Sequence, residues 1–219
     1  MTKIILIRHG YSEYNKLHRF SGQLDIKLGE IGIDQANCTA KYVLENFAVD
    51  AVYSSDLSRA YDTAKPIADA LGLPIVTSKQ IRELDVGLWS GKNAEELYAE
   101  FPESYALYKK DVGKVRCDGG ESYGDLWNRC LGEIERIARE NDGKTVVIAT
   151  HGGVIRCART AWSGVPLEKI ASVPHVTNAS VTVAEYDGEE FKLLTVGYNG
   201  HLAEKITEFV INDIKEEQK

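Results

Sequence analysis

Three short stretches carry side chains suited to one chemistry: Arg8-His9-Gly10, Ser54-Ser55-Asp56-Leu57-Ser58-Arg59 and Thr150-His151-Gly152-Gly153. Arginine stays charged at any working pH and grips phosphate through a planar fork of donors. A neutral histidine has a ring lone pair able to attack phosphorus and form a phosphohistidine. Glycine lets the backbone approach a ligand, and N–H groups at a helix start attract an anion. Taken singly, each residue has a plain reading as a hydrogen-bonded turn histidine or a solvated arginine. Arg59 is harder to explain that way. A cation in the first turn of a helix works against the helix dipole, and a bound anion would reconcile the two. Three stretches with matched chemistry point to one phosphoryl pocket holding Arg8, His9, Arg59 and His151.

The surrounding pattern explains how such a pocket could be assembled. Ile4–Ile7 and Thr145–Ala149 are compact β-branched runs suited to strands buried on both faces. Each runs directly into one of the His-Gly pairs. Ala51–Ser54 and Ile75–Thr77 read as further short strands. Between them, Ile33, Ala36, Ala40, Val43, Leu44 and Phe47 recur at helical spacing. So do Ala60, Ala64, Ile67, Ala68 and Leu71, with Ser55 or Asp56 as the expected cap and Pro66 as a possible kink or start. Ser122-Tyr123-Gly124-Asp125 reads as a capping box opening a helix through Leu126, Cys130, Ile134, Ile137 and Ala138. A helix is expected from Val154 to about Trp162. Ser180–Tyr186 and Phe191–Val196 flank Asp187-Gly188, a hairpin signal. Leu202, Ile206, Phe209, Val210 and Ile214 suggest a final amphipathic helix, equally suited to pack on the body or on a neighbouring subunit. Alternating strands and helices predict an α/β fold, a three-layer α/β/α sandwich with a mostly parallel central sheet. In such sheets, ligands collect where strands end and helices begin.

With 219 residues, 43% hydrophobic and 27% charged, the chain is long enough for one well-cored domain over residues 1–219 and unlike fibrous or disordered compositions. The net charge of −7 disfavours non-specific nucleic-acid binding and docking on anionic membranes, so neither partner is expected. A small anionic substrate stays compatible, because a local cationic pocket can sit on an acidic protein. Cys38, Cys117, Cys130 and Cys157 have no metal-ligand or redox spacing, and no apolar run is long enough for a membrane span. The expectation is a cytoplasmic protein with reduced thiols. No His-x-x-x-His pair or Asp cluster with ligand spacing occurs either, in keeping with a site that uses no metal or cofactor.

Leu6 to Asn15 (LIRHGYSEYN), Phe20 to Asp25 (FSGQLD), Ser54 to Ala60 (SSDLSRA), Arg82-Glu83-Leu84, Gly119 to Ser122 (GGES) and Thr150 to Gly153 (THGG) follow one another in a fixed order. Asn178-Ala179-Ser180 adds a late block. This ordered set resembles the histidine phosphatase superfamily, the phosphoglycerate-mutase-like group. The resemblance implies that His9 is the nucleophile and that Arg8, Arg59 and His151 hold the phosphoryl oxygens. It implies that Glu83 is the general acid, and then the base that activates water. A carboxyl that must carry a proton near neutral pH calls for partial burial. Asn15, Ser21, Gly22 and Gly152 are implied as further phosphate or substrate contacts. The sequence departs from the common pattern at Tyr11, Tyr14, Gln23 and Asp118, none of them implied to be catalytic.

The superfamily contains phosphatases and mutases, and the stretch after Glu83 helps separate them. Leu84 to Gly91 (LDVGLWSG) is similar to the phosphatase branch. Only 29 residues run from Lys92 to Gly120, and Tyr98–Val115 holds Lys109, Lys110 and Lys114 but no arginine pair. The resemblance therefore implies a metal-independent phosphomonoesterase acting on small phosphorylated metabolites, of the broad-specificity or the alpha-ribazole phosphatase kind. The alternative is a 2,3-bisphosphoglycerate-dependent phosphoglycerate mutase. A catalytically silent phospho-ligand-binding domain would be expected to lack one of the five key side chains, and all are present. Residues 92–120 read as a lid-like helical segment. Tyr98, Phe101, Tyr105, Tyr108 and Trp127 could wall the site, although at least half of them suit a core beneath that segment.

Overall fold

The computed structural model describes residues 1–202. The apolar pattern beyond Leu202 lies outside the described residues. Six strands form one sheet: β1 (Thr2–Arg8), β2 (Ala51–Ser55), β3 (Ile75–Ser78), β4 (Thr145–Thr150), β5 (Val181–Tyr186) and β6 (Phe191–Tyr198). Their spatial order is β3-β2-β4-β1-β5-β6. The four strands from β3 to β1 run parallel, and the β5–β6 hairpin adds an antiparallel edge. The expected Asp187 turn is present, with Asp187 Oδ1 accepting from the amides of Glu189 and Glu190 at 2.9 Å each.

Strand parity sorts the core into two layers, because successive side chains point to opposite faces of a sheet. Ile5 and Ile7 of β1, with Val147 and Ala149 of β4, pack under helices α2 (Glu30–Asn46) and α3 (Ser58–Leu71). Ile4, Leu6, Val146 and Ile148 face the other way. They meet α6 (Tyr123–Glu140) and α7 (Gly152–Trp162). Both faces are covered, which is why β1 and β4 read as unbroken apolar runs. A short α1 spans Glu13–Lys16, and α4 (Ala94–Glu100) and α5 (Pro102–Lys110) lie in the less regular middle of the chain. The 92–120 segment is anchored to the second layer through Leu97, Tyr105, Val112, Val115 and Cys117, all buried.

Three local readings need correction. The cap of α3 is Leu57, not Ser55 or Asp56, and it makes no side-chain cap bond. Asp56 is instead held by Arg82 through two bonds of 2.6 and 2.5 Å, while Asp25 caps the helix from across the fold by accepting from the Ser58 amide at 2.7 Å. No helix starts at Pro66, since α3 continues through it to Leu71. Finally, α7 begins at Gly152, two residues before the expected start, so both glycines belong to its first turn. The Ser122 capping box is present as read. Among the described residues all four cysteines are free, and no helix is long and apolar enough to cross a membrane.

Candidate active site

Parallel register brings the two His-Gly turns together. Arg8 of β1 pairs with Thr150 of β4, so His9 and His151 each lie one residue past adjacent strand ends. Their ring centroids are 5.3 Å apart. On the other side of β4, Ser54 pairs with Ala149, and β2 leads into the turn that starts α3 and carries Arg59. Three neighbouring strand exits thus open on one cleft of about 140 Å³, lined by Arg8, His9, Asn15, Ser21, Gly22, Arg59 and Glu83 among others.

His9 is 5% exposed and tightly fixed. Its amide donates to Thr150 O at 2.9 Å, and its carbonyl accepts from the Asn178 side-chain amide at 3.0 Å. Nδ1 lies 2.8 Å from the Gly10 carbonyl, which can only accept, so Nδ1 carries the proton and Nε2 keeps the lone pair. Gly10 in turn donates its amide to Thr63 Oγ1 at 2.9 Å. A Cβ on Gly10 would fall 2.5 Å from Gly32 O, so α2 packs against this turn only with glycine there. Burial, reinforced by Arg59 and Arg8, holds the His9 ring well below the usual histidine range. The ring is therefore neutral and nucleophilic near pH 7.

His151 is fully buried, and neither ring nitrogen hydrogen-bonds to a protein group among the described residues. Burial and then Arg59 lower its pKa well below the usual value. Arg59 is also fully buried, donating Nη1 to Leu24 O and Nη2 to Gly22 O at 2.8 Å each, while Nε has no partner among the described residues. Burial lowers its pKa to about 10, still far above working pH, so the cation persists. Arg8 donates to Val176 O at 2.5 Å. Asn15 uses Oδ1 to accept from the Ser12 amide and hydroxyl at 3.0 Å and from Asn178 at 3.3 Å. That leaves its Nδ2 as the group able to donate into the cleft.

Glu83 is half-buried, as expected for the implied acid. Its carboxylate accepts from the Gly153 amide, with Oε1 at 3.1 Å and Oε2 at 3.2 Å, and from the Leu84 amide at 2.8 Å. A Cβ on Gly153 would fall 2.3 Å from Oε1, so a side chain there would exclude the carboxylate. The second glycine of the THGG motif is thus the seat of Glu83. Gly152, the one singled out from the sequence, does not line the cleft. It lies beside the Arg8 guanidinium and His175, with no room for a side chain to spare.

The model of the histidine phosphatase superfamily (branch 1) matches residues 4–199. The chain belongs to this superfamily. Phosphoserine phosphatase 1 of Hydrogenobacter thermophilus is 36% identical over 204 residues, spanning 93% of this chain and 96% of that one. The metal-independent phosphoserine phosphatase of Arabidopsis thaliana is 34% identical over 185 residues, covering 84% of this chain and 76% of its own. Among solved structures, Bacillus stearothermophilus YhfR superposes with a TM-score of 0.87 at 30% identity, over 92% of this chain and 99% of that chain.

Several side chains of this histidine phosphatase cleft carried no sequence signal of their own. Arg19, Tyr123 and His175 also line it. Arg129 of α6 holds the Glu83 backbone, donating Nη2 to Glu83 O at 2.7 Å and Nη1 to Arg82 O at 2.7 Å. Glu121 of the GGES block pairs with Arg129 at 2.8 Å and accepts from the Asp85 amide at 2.9 Å. The motif position of Glu121 was visible in the sequence, and its partner was not. Of the five aromatics considered as a wall, Tyr108 lines the cleft, Tyr105 is buried and Tyr98 is 52% exposed. Phe101 and Trp127 pack on the core.

Proposed function

We propose that this chain is a metal-independent phosphomonoesterase working through a phosphohistidine on His9. The carrying observation is the pair of neutral imidazoles 5.3 Å apart beside a fully buried arginine. Buried donors without partners are costly unless a ligand satisfies them. His151 and the Arg59 Nε fit a tetrahedral anion in that way.

In the proposed reaction, His9 Nε2 attacks phosphorus and the P–O bond to the alcohol breaks. Glu83 gives its proton to the departing oxygen. A water then attacks the phosphohistidine, losing its proton to Glu83, and inorganic phosphate leaves with the P–N bond broken. Arg8, Arg59 and His151 hold the equatorial oxygens, with Asn15, Ser21 and Gly22 completing the cradle. Phosphoryl transfer asks mainly for positioning and charge stabilisation, and this set supplies both.

The relatives named phosphoserine phosphatases support small phosphorylated metabolites as substrates. We also take residues 1–219 as one domain, with 92–120 as the cover of the cleft, acting in the cytoplasm as free thiols suggest. Hydrolysis of phenyl phosphate and O-phosphoserine in excess chelator tests the reading. The expected result is turnover with acid-labile, base-stable phosphate on the protein, both lost in His9→Ala. Full turnover in that variant would overturn the assignment. Transfer between 2- and 3-phosphoglycerate faster than phosphate release would favour a mutase instead.

A further inference from the structure

The cations of the cleft are of two kinds. Arg59 is fully buried, and both of its terminal nitrogens are committed to carbonyls, so it cannot turn outward. Arg19 lies on the outer wall with its side chain 33% exposed. It donates through Nη1 to the Gly91 carbonyl and to Glu96 Oε2 at 3.0 Å. Both bonds leave from the same nitrogen. The Nη2/Nε edge carries no hydrogen bond from the protein among the described residues.

That edge is a planar pair of donors, the geometry that matches a carboxylate through two parallel bonds. It need not release Glu96 to do so, because Glu96 occupies the other side of the fork. Phe20 and Tyr108 line the same cleft as Arg19, their rings meeting edge-on at 5.5 Å. An apolar neighbourhood strengthens a charge pair relative to one in open water.

We propose that Arg19 forms a second anion subsite, binding the carboxylate of a phosphorylated carboxylic acid whose phosphoryl group lies between His9 and His151. The inference rests on the phosphatase reading above and narrows its substrate class. Glu96 also accepts from the Asn93 amide at 2.7 Å to cap α4, so Arg19 has a structural task beside the binding one.

The test compares O-phosphoserine with O-phosphoethanolamine, which differ only by the carboxylate. Wild-type protein should favour phosphoserine. In Arg19→Gln, kcat/KM for phosphoserine should fall by about ten- to a hundredfold more than for phosphoethanolamine, mostly through KM, as for a lost charged hydrogen bond. Arg19→Lys, which keeps the charge without the fork, should fall between. Equal losses on both esters, with a lowered melting temperature, would mean that Arg19 only anchors α4, and would overturn the inference. Wild-type protein inert toward both esters and toward phenyl phosphate would instead overturn the phosphatase reading, and the inference with it.

Discussion

The inner end of the cleft and its outer wall are built on opposite principles. His9, His151 and Arg59 at the inner end are 5% exposed or less and sit at the ends of β1 and β4 and at the start of α3. The outer wall, with Arg19, Phe20 and Tyr108, comes from the loop after α1 and from α5 and remains partly exposed. Buried groups on strand ends are fixed to within a bond length by the ladder beneath them, which suits a reaction that depends on position. Partly exposed groups on short helices and loops can differ between relatives without disturbing the sheet, which suits the choice of substrate. The contrast teaches that chemistry and selectivity are separable here.

The sharpest way to break the comparison is to remove an inner residue. His9→Ala should lower kcat by at least about 10³-fold on every ester, because the covalent route is lost. Single-turnover rates on an aryl and an alkyl phosphate would check it. A loss confined to one ester would place His9 with the selective wall.

A smaller and more selective loss is expected from Gly153→Ala. The added methyl would lie 2.3 Å from Glu83 Oε1, so the carboxylate must leave the Gly153 amide. General acid catalysis contributes about 10²- to 10⁴-fold. Alkyl phosphates should therefore slow by about 10²-fold, and activated aryl phosphates far less, since their leaving groups need little protonation. Equal slowing would remove Glu83 from proton transfer. The Arg19 substitutions follow, with their ten- to hundredfold selective effect on carboxylate-bearing esters.

The smallest effect is on stability. Burial and Arg59 hold the His9 and His151 rings well below the usual histidine range. The unfolded chain takes up these protons as pH falls through about 6.5, and the folded protein does not. The unfolded state thus binds more protons, so the stabilisation is complete above that pH and lost below it. Each ring should account for about 1.4 kcal/mol between about pH 7.5 and 5.5. Denaturant titrations of His151→Asn should show a pH dependence weaker by about that amount. An unchanged dependence would mean that the inner end is not desolvated as the geometry indicates.

Much of this architecture was legible in the residues. Doubly buried strands must be apolar on both faces, so Ile4–Ile7 and Thr145–Ala149 announced β1 and β4, and alternation with helical spacing announced the layers. His-Gly after each strand marked the turns. The caps were less legible: Asp25 takes the capping role that local order gives to Asp56, which is held by Arg82.

By itself, the sequence determined which side chains leave the ends of the strands, since local periodicity and glycine placement act over a few residues. Only the tertiary structure decided that β1 and β4 are neighbours in the register Arg8–Thr150, and so that His9 and His151 share one site. The same holds for the seating of Glu83 on Gly153, for the grip of Arg129 on the Glu83 backbone, and for the turning of Arg19 into the cleft. These contacts join residues tens of positions apart, and pairing at that range is fixed by how whole layers pack rather than by any local pattern.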